Sequence, residues 1–365
     1  MILIAPRRLC TILTAGLLAA TLLAPGVAMA APRTGSVPAC LMHPLPLPAG
    51  GGLAWDAMFV DPAGRFIVGT GRRATDQGQE PVLVRWDGPR VTVLTRSPGL
   101  LVAVNRHGVL VGDSSTGAGN RPWRFRDGRV EWLPLPPNGI GGYVTAVNSR
   151  GDIVGFGGYL EYPVTLRWPV DRPDTVEVLE PGGLPVAILD DGTIVGEVPG
   201  EEDRSSHGPG ARGPGARGAG ARGAGGERGV APPPIAWVRR PDGRVDRLTA
   251  PGAVKSTVRV ARGNWAVGQV ADTADGQYGQ MVRWDLRTGV ATPVRPGLIA
   301  MTGVNASGGL LSDSVVDHLD RRVPLRSVVS GPVNRVVAEA IADNGLVVGR
   351  AVGRQVSLPV RWSGC

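Results

Sequence analysis

The twelve residues Val144 to Gly155, VTAVNSRGDIVG, limit what this chain can fold into more than any other stretch, because variants of them recur along its length. Taken once, they read as a β-hairpin: an alternating apolar strand, an Asn-x-x-Gly turn, then a second strand ending in Val-Gly. Asn at the first turn position can bond nearby backbone, and Gly at the fourth tolerates positive φ, which suits a type I turn. Taken repeatedly, they set a period. The closing Gly falls at Gly69, Gly112, Gly155, Gly196, Gly268 and Gly349, with Ser312 in the same slot of a degenerate copy. The first steps are 43, 43 and 41 residues, inside the roughly 40–50 residue range of β-propeller repeats.

The copy around Val144 shows four short β-rich runs, VTAVN, DIVGF, PVTLRW and TVEVL, separated by turn residues. The third run usually ends in Trp, at Trp86, Trp123, Trp168, Trp237, Trp284 and Trp362, which reads as a packing position between blades. The last copy stops at VRWSGC and lacks a fourth run, while CLMHPLPLPAGG near the start resembles EWLPLPPNGIGG at the end of the second copy. The expected fold is therefore all-β, a seven-bladed β-propeller-like ring of four-stranded blades. Its last blade is completed by the N-terminal segment Cys40 to Leu47, which removes two exposed edges. That closure places Cys40 beside Cys365 and predicts a disulfide between them in an oxidising compartment.

Residues 1–30 carry a targeting pattern. Arg7 and Arg8 precede an apolar run from Leu9 to Ala24, Pro25 breaks it, and Ala28-Met29-Ala30 fits a small-x-small cleavage rule. Cleavage is expected after Ala30, leaving 31–365 as a single secreted repeat domain. No later stretch reaches the ~18 apolar residues of a membrane span. Residues 201–234 form a Gly/Ala/Arg-rich insert within the fourth blade, with nothing to bury a core, and read as a disordered loop. Removing the leader lowers the net charge from +8 to +6. That charge is spread along the chain, and the insert's five Arg face four acids, so nucleic-acid binding is not expected. A monomer is expected.

The pattern Ala-Val-Asn-x-x-Gly-x-Ile/Val-Val-Gly, followed by a Trp, a Gly and a Leu, is similar to the HAF-type repeats of secreted bacterial proteins, most clearly from Ala103 to Leu133 and from Ala146 to Leu179. The His-Ala-Phe triplet of that family is replaced here by RPW, TLRW or VRW. The resemblance implies a secreted β-repeat protein and brings no established activity.

Apparent chemical motifs dissolve on inspection. Ile67 to Ala74, IVGTGRRA, mimics a dinucleotide fingerprint, but TDQGQEP follows where a helix must meet the pyrophosphate. Ser114 in VGDSSTG lacks a suitably spaced Asp-x-x-His, Asp317-His318 being the nearest candidate. Arg150-Gly151-Asp152 occupies the repeat's turn slot. His43, His107, His207 and His318 lack metal-ligand spacing, and Asp272 and Asp275 offer too few carboxylates for calcium, so no metal or cofactor is expected. All four tyrosines, Tyr143, Tyr159, Tyr162 and Tyr278, fall where second-to-third and fourth-to-first connections are expected, which share one face of a propeller. They form the candidate ligand face, since Tyr suits sugar stacking and interface packing. The expected function is non-catalytic binding of an extracellular glycan, cell-wall polymer or protein. The alternative is a propeller polysaccharide hydrolase or lyase using acids such as Asp76, Glu80 or Glu161.

Overall fold

The computed structural model describes residues 40–49, 54–116, 119–137, 141–158, 163–198, 233–273, 279–298, 301–327 and 333–365. The expected leader, nearly all of the expected insert, and Tyr159, Glu161, Tyr162 and Tyr278 lie outside these residues. All regular structure among the described residues is β. The chain begins with β1 (Cys40–Pro44). Four-stranded meanders follow: β2 (Trp55–Val60), β3 (Phe66–Thr75), β4 (Gly78–Asp87), β5 (Arg90–Arg96); then β6 (Leu100–Val104), β7 (Leu110–Thr116), β8 (Gly119–Arg126), β9 (Arg129–Trp132). The third is β10 (Gly142–Val147), β11 (Ile153–Gly157), β12 (Val164–Trp168), β13 (Glu177–Leu179), and the fourth is β14 (Leu184–Ile188), β15 (Ile194–Val198), β16 (Ile235–Arg239), β17 (Val245–Leu248). The fifth is β18 (Lys255–Arg262), β19 (Trp265–Ala271), β20 (Gln280–Asp285), β21 (Ala291–Pro293). An eight-stranded sheet joins β22 (Met301–Val304), β23 (Leu310–Ser312), β24 (Val315–Asp317) and β25 (Arg322–Arg326) to β26 (Val333–Ile341), β27 (Val347–Gly353), β28 (Ser357–Ser363) and β1. This is a propeller of four-stranded blades. The first strands meet in a cycle, β2 on β6, β6 on β10, β10 on β14, β14 on β18, β18 on β22, β22 on β26 and β26 on β2.

The period of the sequence has a backbone cause. Every first strand carries a register shift opposite the end of its hairpin, for example between Val144 and Ala146 in β10, where Val144 pairs with Gly155. The bulge pushes the Tyr143 carbonyl into the space a Cβ on Gly155 would occupy. The same collision with a first-strand carbonyl awaits a Cβ at Gly69, Gly112, Gly268 and Gly349. The repeat glycine is therefore the complement of a β-bulge. Where Ser312 replaces it, a glycine stands on the other strand of the hairpin, Gly303, just past the bulge.

The turn asparagines act as expected and do more. Gly151 has φ of 101° and donates to Asn148 O at 3.1 Å, while Asn148 Oδ1 accepts from Gly151 N and Asp152 N. Asn148 Nδ2 reaches the next blade, donating to Leu189 O at 3.1 Å, as Asn105 Nδ2 donates to Asn148 O. Each such asparagine satisfies its own turn and ties it to its neighbour.

The tryptophans occupy two positions rather than the single one expected. Trp86, Trp168, Trp284 and Trp362 lie two residues beyond the partner of the repeat Gly or its equivalent. Trp123 and Trp237 pair directly with Gly112 and Gly196, and a Cβ on either glycine would fall 2.5 Å from the indole. All six are buried. Three of the first group share a hydrogen bond to the segment just after the preceding fourth strand: Trp168 Nε1 to Pro134 O at 2.7 Å, Trp284 Nε1 to Thr249 O at 2.9 Å, and Trp86 Nε1 to Pro46 O at 2.8 Å. Pro46 follows β1, so β1 stands where a fourth strand stands. It pairs antiparallel with β28 and, over two residues, parallel with β25. Leu45 and Leu133 are correspondingly buried, with N–H bonds to Pro359 O and Pro122 O.

Cys40 and Cys365 form a disulfide across a separation of 325 residues. Within β1 only Cys40 is buried, and Leu41, His43 and Pro44 are exposed. Ordering each residue costs about 1–2 kcal/mol. A net backbone hydrogen bond returns about 0.5–1.5 kcal/mol, and one buried leucine about 2 kcal/mol. The non-covalent hold on β1 is thus modest, and the cross-link adds a covalent tether between its first residue and Cys365.

Gly155→Ala should destabilise the fold by roughly 1–3 kcal/mol by overpacking, while Ser312→Gly should cost under about 1 kcal/mol. Chemical denaturation of both variants checks this, and an unaffected Gly155→Ala would refute the bulge explanation.

Candidate functional site

Hairpin turns from separate blades converge at one end of the first strands, and a pocket of about 260 Å³ opens among them. Its wall comes from the β14–β15 turn (Asp190, Asp191, Thr193), the β18–β19 turn (Arg262, Gly263, Asn264), Ala306 and Asp343, with Arg240 and Leu286 from third-to-fourth turns. These positions span more than 150 residues of sequence. That is why motif reading missed them: each is an ordinary turn residue in its own copy. The signal available was the charge in these turns, Asp190-Asp191, Arg262 and Asp343, together with the loss of the turn asparagine to Leu189 and Ala342.

One carboxylate organises the wall. Asp343 Oδ2 lies 2.9 Å from Arg262 Nη2, and Asp343 Oδ1 accepts from Ala306 N at 2.8 Å, tying three turns together. Asp190 Oδ1 accepts from Ser149 N at 2.8 Å. Desolvation pushes the Asp190 pKa up, but the Ser149 N–H and the charges of Arg262 and Arg106 outweigh it and hold the carboxyl below its usual range. Asp191 receives Thr193 N at 2.8 Å and Thr193 Oγ1 at 3.0 Å, and Arg240 Nη2 donates to Leu286 O at 2.5 Å. A carboxylate held ionised is a poor proton donor at neutral pH. Together with Asn264 and the arginines it makes a wall of acceptors and donors, suited to hydroxyl-bearing ligands.

The predicted residues are distributed differently. Tyr143 is not in a connection but inside β10, half-buried, its ring stacked on Phe156 at 4.7 Å between centroids. The two are cross-strand partners, so the pair is explained by blade packing. The other three tyrosines are outside the described residues. The segment from Ile67 to Ala74 lies within strand β3, as its repeat position implies. Ser114 sits in β7 opposite Arg121, and His318 Nε2 lies 2.8 Å from Cys365 O. Asp152 of the Arg-Gly-Asp tripeptide is buried among Asn148, Arg150, Arg167 and the Val170 N–H, so it serves the turn. Asp76 is at a hairpin tip, and Glu80 is the ion-pair partner of Arg73. Among the described residues no group of three His, Cys, Asp or Glu could hold a metal ion.

Two buried carboxylates follow the repeat glycine and look at first like catalytic acids. Glu197 Oε2 accepts Val258 N at 2.9 Å, and Asp113 bonds the Val144 N–H. Val144 and Val258 pair with the repeat glycines of the next blades, so these carboxylates serve amides beside bulges. Burial pushes Asp113 up to about 6, the Val144 N–H only partly opposing it. Glu339 is raised by burial, against the nearby Arg350.

No family model and no curated protein matches the sequence. Among solved structures, the β-propeller domain of the Trilobed protease from Pyrococcus furiosus, described as having an open velcro topology, is similar at 9% identity and a TM-score of 0.52, covering 86% of this chain and 97% of that one. Virginiamycin B lyase from Staphylococcus aureus matches at 12% identity and 0.49, covering 88% and 98%, and the Dos1 propeller at 8% and 0.42, covering 88% and 95%. At these identities the likeness shows the fold alone. Among the described residues no helix is long and apolar enough to cross a membrane.

Folded Asp113 keeps its proton up to about pH 6, whereas the unfolded side chain loses it near 3.8. Its contribution to stability is therefore full below about pH 4 and is lost as pH rises to about 6. Asp113→Asn should flatten the stability profile across that interval, measured by denaturant melts at successive pH values. An unchanged slope would contradict the assignment.

Proposed function

We propose that the chain is exported, cut after Ala30, and folds as a seven-bladed ring closed by β1. In this reading it is a non-catalytic binding protein that holds a hydroxyl-bearing group of an extracellular glycan or cell-wall polymer. The observation that carries the reading is the turn-face pocket, whose Asp190 is kept ionised and whose Arg262–Asp343 pair is internally neutral. Such a wall suits binding by hydrogen bonds, and Asp190, held ionised, is a poor general acid for glycosidic cleavage. The resemblance to HAF-type repeats and the disulfide support an extracytoplasmic setting. The pocket is built by first-to-second and third-to-fourth turns, so it replaces the tyrosine-bearing connections as the preferred site.

A thermal-shift screen of the purified chain against cell-wall fragments and polysaccharides should find a saturable rise in melting temperature. Asp190→Asn combined with Asn264→Ala should weaken that ligand at least about tenfold, equivalent to about 1.4 kcal/mol, with the melting temperature of the free protein nearly unchanged. Replacing Tyr159, Tyr162 and Tyr278 by Ala should leave affinity intact. The reverse pattern would move the site to the opposite face, and turnover of the ligand would overturn the non-catalytic reading.

A further inference from the structure

We propose that the N-terminal strap, β1 with Leu45 and Pro46, is a redox-released element: reducing the Cys40–Cys365 disulfide frees the strap while the ring of first strands stays assembled. The structure closes this seam in two separate layers. The outer layer is the strap, held by the disulfide, by its ladder to β28, by two residues paired with β25, by buried Leu45 and by the Trp86–Pro46 hydrogen bond. Of its remaining side chains Met42 packs, half-buried, against the core of the last blade, while Leu41, His43 and Pro44 face solvent.

The inner layer does not involve the strap. β2 packs on β26, β27 and β28. Arg350 Nη1 lies 3.5 Å from Asp56 Oδ2, and Ser357 Oγ bonds the same carboxylate. Asp343 N donates to Pro62 O at 2.9 Å and Asn344 Nδ2 to Ala63 O at 3.0 Å, joining the last hairpin turn to the first. Removing the strap leaves every one of these contacts in place.

The chemistry is thiol–disulfide exchange with a dithiol as the reductant. A thiolate attacks the Cys365 sulfur, the half-buried partner, and Cys40, fully buried, leaves as thiolate and takes a proton. The second thiol of the reductant resolves the mixed disulfide. The protein gains two thiols, and the reductant closes its own disulfide. Disordering of the seven strap residues, Cys40 to Pro46, is then opposed by nothing covalent, and the strand edges of β28 and β25 are uncovered.

Amide hydrogen exchange of the purified chain, read by mass spectrometry before and after treatment with a dithiol, tests this. Exchange in residues 41–45 and 358–362 should accelerate at least tenfold on reduction, with protection in β2 and β26 unchanged. Cys365→Ser should reproduce the reduced pattern without reductant. Unchanged exchange at 41–45 would show that the strap holds without its cross-link, and loss of protection throughout the chain would show that the disulfide governs the whole fold. Either result overturns the proposal. The outcome is independent of the ligand reading, because Asp190 and Asn264 lie away from the strap's contacts.

Discussion

The architecture depends on one steric relation, a β-bulge in each first strand facing a residue that must lack, or nearly lack, a side chain. The bulge turns a carbonyl toward the second strand, and at Gly155 that carbonyl occupies the place of a Cβ. Removing the side chain has a second use at Gly112 and Gly196, where the vacated space receives the indoles of Trp123 and Trp237. The bulge also turns backbone amides toward the neighbouring blade, and Asp113 and Glu197 meet them there. Period, tryptophan placement and buried acids are thus linked by the backbone.

Between blades, polar side chains work alongside the apolar cores. Asn105 and Asn148 cross the junctions at the turn end, Trp86, Trp168 and Trp284 at the segments after fourth strands, and Asp113 and Glu197 beside the bulges. Each bond is individually modest, about 0.5–1.5 kcal/mol net, but each also spares a buried polar group. The pocket arises where this turn-end network changes character: Leu189 and Ala342 take the place of asparagine, and the next residues, Asp190 and Asp343, bond Ser149 N and Ala306 N across the junctions instead, leaving polar atoms facing a cavity.

Much of the fold was legible in sequence because repeats multiply weak signals. The hairpin, its Asn-x-x-Gly turn and the likeness of CLMHPLPLP to EWLPLPP each have structural counterparts, the last in the matched roles of Leu45 with Leu133 and Pro46 with Pro134. The bulge was not legible, since an inserted residue in an apolar strand leaves no compositional mark. Nor was the split of the tryptophans, because a two-residue shift keeps the side chain on the same face. Tyr143 was assigned to a connection because β10 begins earlier than its apolar run suggests. The pocket escaped for a different reason: six turns, each unremarkable alone, become a site only when the blades bring them together.

The central claim is that β1 serves as the fourth strand of the blade formed by β26, β27 and β28. Non-reducing peptide mapping of the purified chain tests it most directly. The account predicts a single cross-linked species joining the peptide that holds Cys40 to the peptide that holds Cys365. Recovery of both as free thiols under oxidising conditions would contradict the closure.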